Sequence, residues 1–226
     1  MLLQAENISK TFFRKSGGSN YFYAVSPLSL DIPPETVSVL MGRSGSGKTT
    51  LLNMLAGMLE PTEGKVLLHG TDLYSLNDTA LSRIRNERIG VIPQARSAVD
   101  TLTVMENILL PAKLYGVSVS LDEVSKRMEE LDIVNLADAF PRELSGGELR
   151  RMAIVRAMVR DPDILFADEP TGDLDDENTE KALAVLSSFA HRSGKAVFIV
   201  THENDAVNYA DRLFRMNQGH ITCLDK

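Results

Sequence analysis

The chain has 226 residues, enough for one large domain or one core with a sizeable insertion, and enough to bury a full core without disulfides or structural metal. Its 43% hydrophobic and 24% charged residues exclude a disordered, collagen-like or coiled-coil chain. The balance of 24 Lys+Arg against 31 Asp+Glu, net −7, has the wrong sign for a duplex nucleic-acid binder, and the single cysteine, Cys223, excludes an intramolecular disulfide and points to a reducing compartment.

Met1-Leu2-Leu3-Gln4-Ala5-Glu6 lacks the charged n-region and apolar stretch of a secretory signal, and no window approaches ~20 consecutive apolar residues. Service at a membrane is therefore expected to run through a partner. The first 40 residues alternate polar and apolar, as in Tyr21–Val25 and Leu28–Ile32, and read as antiparallel strands joined by a loop at Lys15–Asn20. Thr36–Met41 is a short apolar strand leading into a glycine-rich turn and a helix, Thr49–Leu59, stopped by Pro61. Lys65–His69 and Ile89–Ile92 read as strands, and Ile164–Ala167 and Ala196–Val200 as apolar runs of the kind buried in a parallel sheet. From about 95 to 160 no strand run appears. Thr103–Tyr115, Leu121–Leu131 and Gly146–Arg160 have helical spacing, with a capping box at Ser120 and Glu123. Arg212–Met216, then Asn217-Gln218-Gly219, then His220–Thr222 reads as a hairpin. The expected architecture is a single α/β domain over 1–226 with an antiparallel β part at the N-terminus and a helical insertion at about 95–160.

Gly42-Arg43-Ser44-Gly45-Ser46-Gly47-Lys48-Thr49 fits G-x-x-x-x-G-K-[ST], and it stands between the apolar strand and the helix. Glycines let successive backbone N–H groups curl round a phosphate while the helix N-terminus adds its positive end. Lys48 then reaches the β/γ oxygens and Thr49, followed by Thr50, offers a hydroxyl to Mg²⁺. This pattern predicts a nucleoside triphosphate ligand. Ile164–Glu169 delivers two carboxylates at the end of a buried strand: Asp168 is expected to hold Mg²⁺ through water, and Glu169 to act on an attacking water. A separate glutamate beside the metal carboxylate predicts hydrolysis over transfer to a substrate hydroxyl.

Leu144-Ser145-Gly146-Gly147-Glu148 opens another helix. Ser145 and Glu148 read as a second capping box, but two glycines in a first turn cost up to ~1 kcal/mol each in helix propensity, which favours a close anion at that helix start. The chain is thus expected to carry two phosphate-binding helix starts.

The glycine loop, Leu144–Glu148, Asp168-Glu169 and His202 after a buried strand, in this order, resemble the ATP-binding subunit of an ATP-binding-cassette (ABC) transporter over essentially the whole chain. The resemblance implies a P-loop NTPase core of the RecA-like kind, with ATP and Mg²⁺ as cofactors and two copies packed head to tail. In that packing the signature Ser145, Gly146, Gly147 and Glu148 of one copy faces the γ-phosphate of the other. It also implies that Phe12 stacks on adenine, with Phe13 and Tyr23 as rival candidates, and that Gln94 touches Mg²⁺ and the attacking water. By the same resemblance Asp175 reaches across the dimer and His202 senses the γ-phosphate. Pro93 stands where Phe is usual, Glu148 where Gln is common, and Leu149-Arg150-Arg151 replaces a Gln-rich continuation.

Pro61–Gly64, Leu102–Ile108 and Ala167–Asp175 are similar to the branch serving lipoprotein release, macrolide export and cell division. The implied role is an ATPase at the inner face of the cell membrane, cytoplasmic, powering an integral membrane permease subunit of an exporter or of a mechanotransmission complex. The alternatives are a regulatory ATPase that signals without transport and a soluble ABC ATPase. The sequence carries no residue that selects a transported molecule.

Overall fold

The computed structural model describes residues 1–13 and 21–224. The loop expected at Lys15–Asn20 lies outside the described residues. Two sheets organise the chain. The first is antiparallel, with β1 (Leu3–Phe13) between β2 (Tyr21–Ile32) and β4 (Glu63–Leu68), and a short β5 (Thr71–Asp72) at the edge. The second follows the order β10-β9-β3-β8-β7-β6, from β3 (Thr36–Gly42), β6 (Ile89–Ile92), β7 (Ile164–Asp168), β8 (Ala196–Thr201), β9 (Arg212–Asn217) and β10 (His220–Leu224). All its pairings are parallel except β9 with β10, the expected hairpin.

β7 and β8 are buried at every position, as near-continuous apolar runs of a sheet covered on both faces must be. Successive residues point to opposite faces and so feed two cores. Val39, Leu165, Ala167 and Ile199 pack with the helices α5 (Gly146–Met158) and α6 (Asp176–Ala190); Leu40, Phe166, Phe198 and Val200 pack with α1 (Lys48–Leu55) and the antiparallel sheet. The rings of Phe166 and Phe198 stand 6.0 Å apart in the second core.

Between β6 and β7 the chain forms α3 (Val104–Leu114), α4 (Leu121–Glu130) and α5, with two short 3-10 turns between α4 and α5. Thr103 and Glu106 close a capping box on α3, and buried Asn107 ties down the preceding loop through both groups of Val99 and the carbonyls of Leu102 and Thr103. At α4 only half of the expected capping box forms: Ser120 Oγ accepts from Glu123 N.

One boundary is corrected, and two helices lie outside the sequence reading. α1 ends at Leu55, not Leu59, because Gly57 turns at φ +69° and the N–H groups of Met58 and Leu59 both return to Asn53 O. Two helices escape the periodicity reading: α2 (Asp78–Arg88), which buries no residue fully and so carries little apolar pattern, and α6, capped by Asp175.

Candidate functional site: a phosphate-binding cleft at the ends of the parallel strands

β3, β7 and β8 deliver the glycine loop, Asp168 with Glu169, and His202 to one end of the sheet, where parallel sheets place ligands. There a cleft of about 450 Å³ is lined by Ser44 through Thr50, by Gln94, Asp168, Glu169 and His202, and by Phe12. Gly47 adopts φ +107°, and a Cβ there would fall 2.2 Å from Ala24 O, so glycine is required. Gly47 caps α1 without any side-chain bond, and no acidic residue occupies the first turn. The unpaired N–H groups of that turn form an anion site. Ser46 Oγ, buried in the same loop, has no hydrogen-bond partner, which suits a ligand oxygen.

Lys48 is buried and bends back along the loop. Its Nζ donates to Gly42 O at 2.7 Å and Arg43 O at 3.2 Å and stands 3.9 Å from Glu169 Oε1. Gly42 and Arg43 thereby orient the lysine without lining the cleft. Glu169 has φ +50° and is held by three groups: Thr201 Oγ1 and His202 N donate to Oε2 at 2.8 and 3.3 Å, and His202 Nδ1 lies 2.9 Å from Oε1. The hydrogen bond and charge of Glu169 raise the His202 imidazole above its ordinary value. Burial raises the Asp168 carboxyl, against a hydrogen bond from Thr49.

Residues 25–172 match the ABC transporter family. The chain belongs to that family.

Its relatives agree with the fold and its extent. An ABC transporter ATP-binding protein of Mycobacterium tuberculosis, Rv0986, is 36% identical over 223 residues, 97% of this chain and 88% of the relative. The macrolide export ATP-binding/permease protein MacB of Chlorobaculum tepidum is 34% identical over 221 residues, which are 97% of this chain but 33% of MacB. The cassette MJ0796 of Methanocaldococcus jannaschii, solved as a dimer in a post-hydrolysis state with ADP and Pi, superposes with a TM-score of 0.87 at 32% identity over 99% of both chains. The protein is therefore an ATPase of the ABC family, with the P-loop α/β fold expected from its motifs.

The donor set of the ABC cleft suits Mg²⁺. Thr49, Gln94 and Asp168 bring oxygen donors alone to the same space. No cluster of three or more His, Cys, Asp or Glu among the described residues forms a metal cage. A hard cation held by one carboxylate plus phosphate and water fits that arrangement.

Other predicted site residues of this ABC ATPase lie elsewhere. Ser145, Gly146, Gly147 and Glu148 begin α5 with a complete capping box, Glu148 Oε2 accepting from Ser145 N at 2.7 Å and from Ser145 Oγ at 2.8 Å. They do not line the cleft. A Cβ on Gly147 would meet Asp173 O at 3.1 Å and Leu174 Cδ2 at 3.2 Å, so packing within the chain also favours glycine there. Asp175 Oδ1 caps α6 by accepting from Asn178 N at 2.8 Å.

Of the three aromatic candidates, Phe12 and Tyr23 line the cleft, whereas Phe13 packs edge-on against Tyr21 at 5.3 Å. Motif reading missed Phe22, whose ring stands 6.1 Å from Phe12, and the turn Gln218-Gly219. Gly219 N donates to Ser46 O, and Ser26 N to Gly219 O, both at 2.9 Å. The alternation of β1 and β2 hints at Phe22 as the cross-strand partner of Phe12. The hairpin turn is legible, but nothing local marks it as part of a site, to which the parallel pairing of β9 with β3 carries it.

Proposed function

We propose that this chain binds ATP in the cleft, closes head to tail on a second copy around two nucleotides, and drives a membrane permease subunit, in the direction of export. The observation that carries this reading is the separation of two anion-binding helix starts. The α1 start faces the cleft with the proposed catalytic groups, while the α5 start, closed by its own capping box, lies outside it and could meet only a phosphate held by another molecule. The dimeric MJ0796 structure supplies a precedent for the assembly, and MacB one for export.

In this reading the loop N–H groups and Lys48 hold the β- and γ-phosphates, and Phe12 packs on the adenine. Thr49, Asp168 and Gln94 hold Mg²⁺, which when bound neutralises charge on the transferring phosphoryl group. Glu169 accepts the proton of the attacking water. His202 positions Glu169 and reaches the γ-phosphate. Signature residues 145–148 and Asp175 act on the partner copy. No helix of the described residues is long and apolar enough to cross a membrane. The chain is accordingly proposed to sit peripherally on the cytoplasmic face and to grip its permease through the Gln94 loop and the helical segment at about 95–160, the inserted part of the single domain.

Glu169→Gln tests the assembly, because it should bind ATP without cleaving it. Light scattering in saturating ATP is expected to give the mass of a dimer that reverts to monomer with ADP. A strict monomer at high protein concentration would overturn the reading.

A further inference from the structure

Arg150 stands on α5 where family resemblance leads one to expect a Gln-rich run. Its terminal nitrogens donate to two consecutive carbonyls on another segment, Nη1 to Pro93 O at 2.6 Å and Nη2 to Gln94 O at 2.7 Å. These are the carbonyls of the peptide units before and after the Gln94 Cα. A planar peptide leaves two soft torsions per residue, so fixing both flanking planes fixes the direction in which the Gln94 side chain leaves the backbone. That direction places Gln94 on the lining of the ATP cleft.

The setting supports the grip. The guanidinium is half-buried and sits beside Gly172, within 3.9 Å of where a Cβ would stand. Burial lowers the guanidinium from its ordinary value, and the charges of Asp173, Asp168, Glu169 and Glu203 offset part of that shift. Farther along α5, Arg156 holds the same segment from its other end, Nη1 donating to Ser97 O at 2.7 Å and Nη2 to Ser97 Oγ. The segment 93–97 therefore rides on the signature helix, although it leaves a strand of the α/β core.

We infer that Arg150 is a positioning residue for Gln94, its fork setting the backbone of the Gln94 loop so that the side chain is presented to the reacting phosphate and its metal. This rests on the proposed role of Gln94. Lysine can reach both carbonyls from its single nitrogen, as Lys48 does with Gly42 O and Arg43 O, but it lacks the rigid spread of the guanidinium fork that sets one peptide plane against the other.

The test compares wild type with Arg150→Gln, Arg150→Lys and Gln94→Ala in the full chain. Hydrogen–deuterium exchange without nucleotide or metal reads the grip directly. Arg150→Gln is expected to speed exchange at amides 94–98 about tenfold while α5 and the urea midpoint stay as in wild type. Its kcat for ATP should fall about tenfold and its half-saturating Mg²⁺ rise several-fold, with KM for ATP within about twofold. Arg150→Lys should fall between the two and carries the test if Arg150→Gln does not fold. Wild-type exchange at 94–98, faster exchange with unchanged kcat, or a uniform rise in exchange along the chain would each overturn the inference. If Gln94→Ala keeps the wild-type kcat, the Gln94 reading itself fails. If Gln94→Ala loses activity and Arg150→Gln keeps it, the inference alone fails.

Discussion

Nδ1 of His202 lies 2.9 Å from Oε1 of Glu169, so the two groups that end β8 and β7 hold each other at the mouth of the cleft. Thr201 Oγ1, donating to the other carboxylate oxygen, completes the hold and keeps Glu169 in its positive-φ conformation. Removing the carboxylate charge with Glu169→Gln should lower ATP hydrolysis by ~10²–10⁴-fold, the range for loss of a general base, while ATP affinity is kept. Lys48→Ala should lose affinity as well, since in the proposed reading its ammonium holds the phosphates. Equilibrium binding of a fluorescent ATP analogue beside steady-state hydrolysis separates the two.

The same contact predicts a titration. Glu169 first, and Glu203 more weakly, raise His202 above its ordinary 6.5, against desolvation and Lys48. A group raised in the folded state adds stability that is fully present below its unfolded value and is lost as pH rises through the folded one. The His202–Glu169 pair should therefore support the fold below about pH 6.5 and fade above the raised value. Proton NMR of the His202 ring should show that raised midpoint, and Glu169→Gln should return it toward 6.5; an unmoved midpoint would sink the assignment.

Asp168 carries the opposite bias. Burial raises its carboxyl, so its charged form costs folding stability at neutral pH, and the cost diminishes as pH falls through the raised value. Asp168→Asn should unfold at higher urea than wild type at pH 7 in EDTA, yet lose Mg²⁺-dependent hydrolysis. A variant less stable than wild type under those conditions would contradict this account.

Gly47→Ala combines two faults, a φ of +107° and a Cβ placed 2.2 Å from Ala24 O. The loop must shift away from β2, at a cost of about 1–3 kcal/mol in backbone strain alone. ATP binding should be lost and the urea midpoint lowered together, whereas Gly45→Ala, with open space around its Cβ, should cost less stability.

Asn107 is buried remote from the cleft, and its side chain makes four hydrogen bonds to the loop before α3. Replacement by Leu removes the partner of Val99 N and Leu102 O, whereas Val99 O and Thr103 O keep their bonds from Leu102 N and the backbone N–H of residue 107; the cost is ~1–3 kcal/mol for each orphaned group that water cannot reach. Chemical denaturation should register the loss, while kcat per folded molecule stays close to wild type.

The sequence by itself determined the candidate groups of the site and the strands that carry them. Phosphate binding needs successive N–H groups and a lysine at fixed spacing, so Gly42–Thr49 is legible locally. Strands buried on both faces must be apolar along their length, so Ile164–Ala167 and Ala196–Val200 were legible too. Tertiary structure alone decided what those strands bring together. The parallel register of β3, β7 and β8 joins Lys48, Glu169 and His202 across more than 150 residues, and β9 beside β3 sets Gly219 against Ser46. Arg150 is the sharpest case: the sequence shows a cation replacing a neutral residue on a helix, and only the packing of α5 against the exit of β6 makes it the anchor of Gln94. Local spacing encodes which groups can act, but long-range pairing of buried strands, driven by the removal of apolar surface from water, encodes which of them meet.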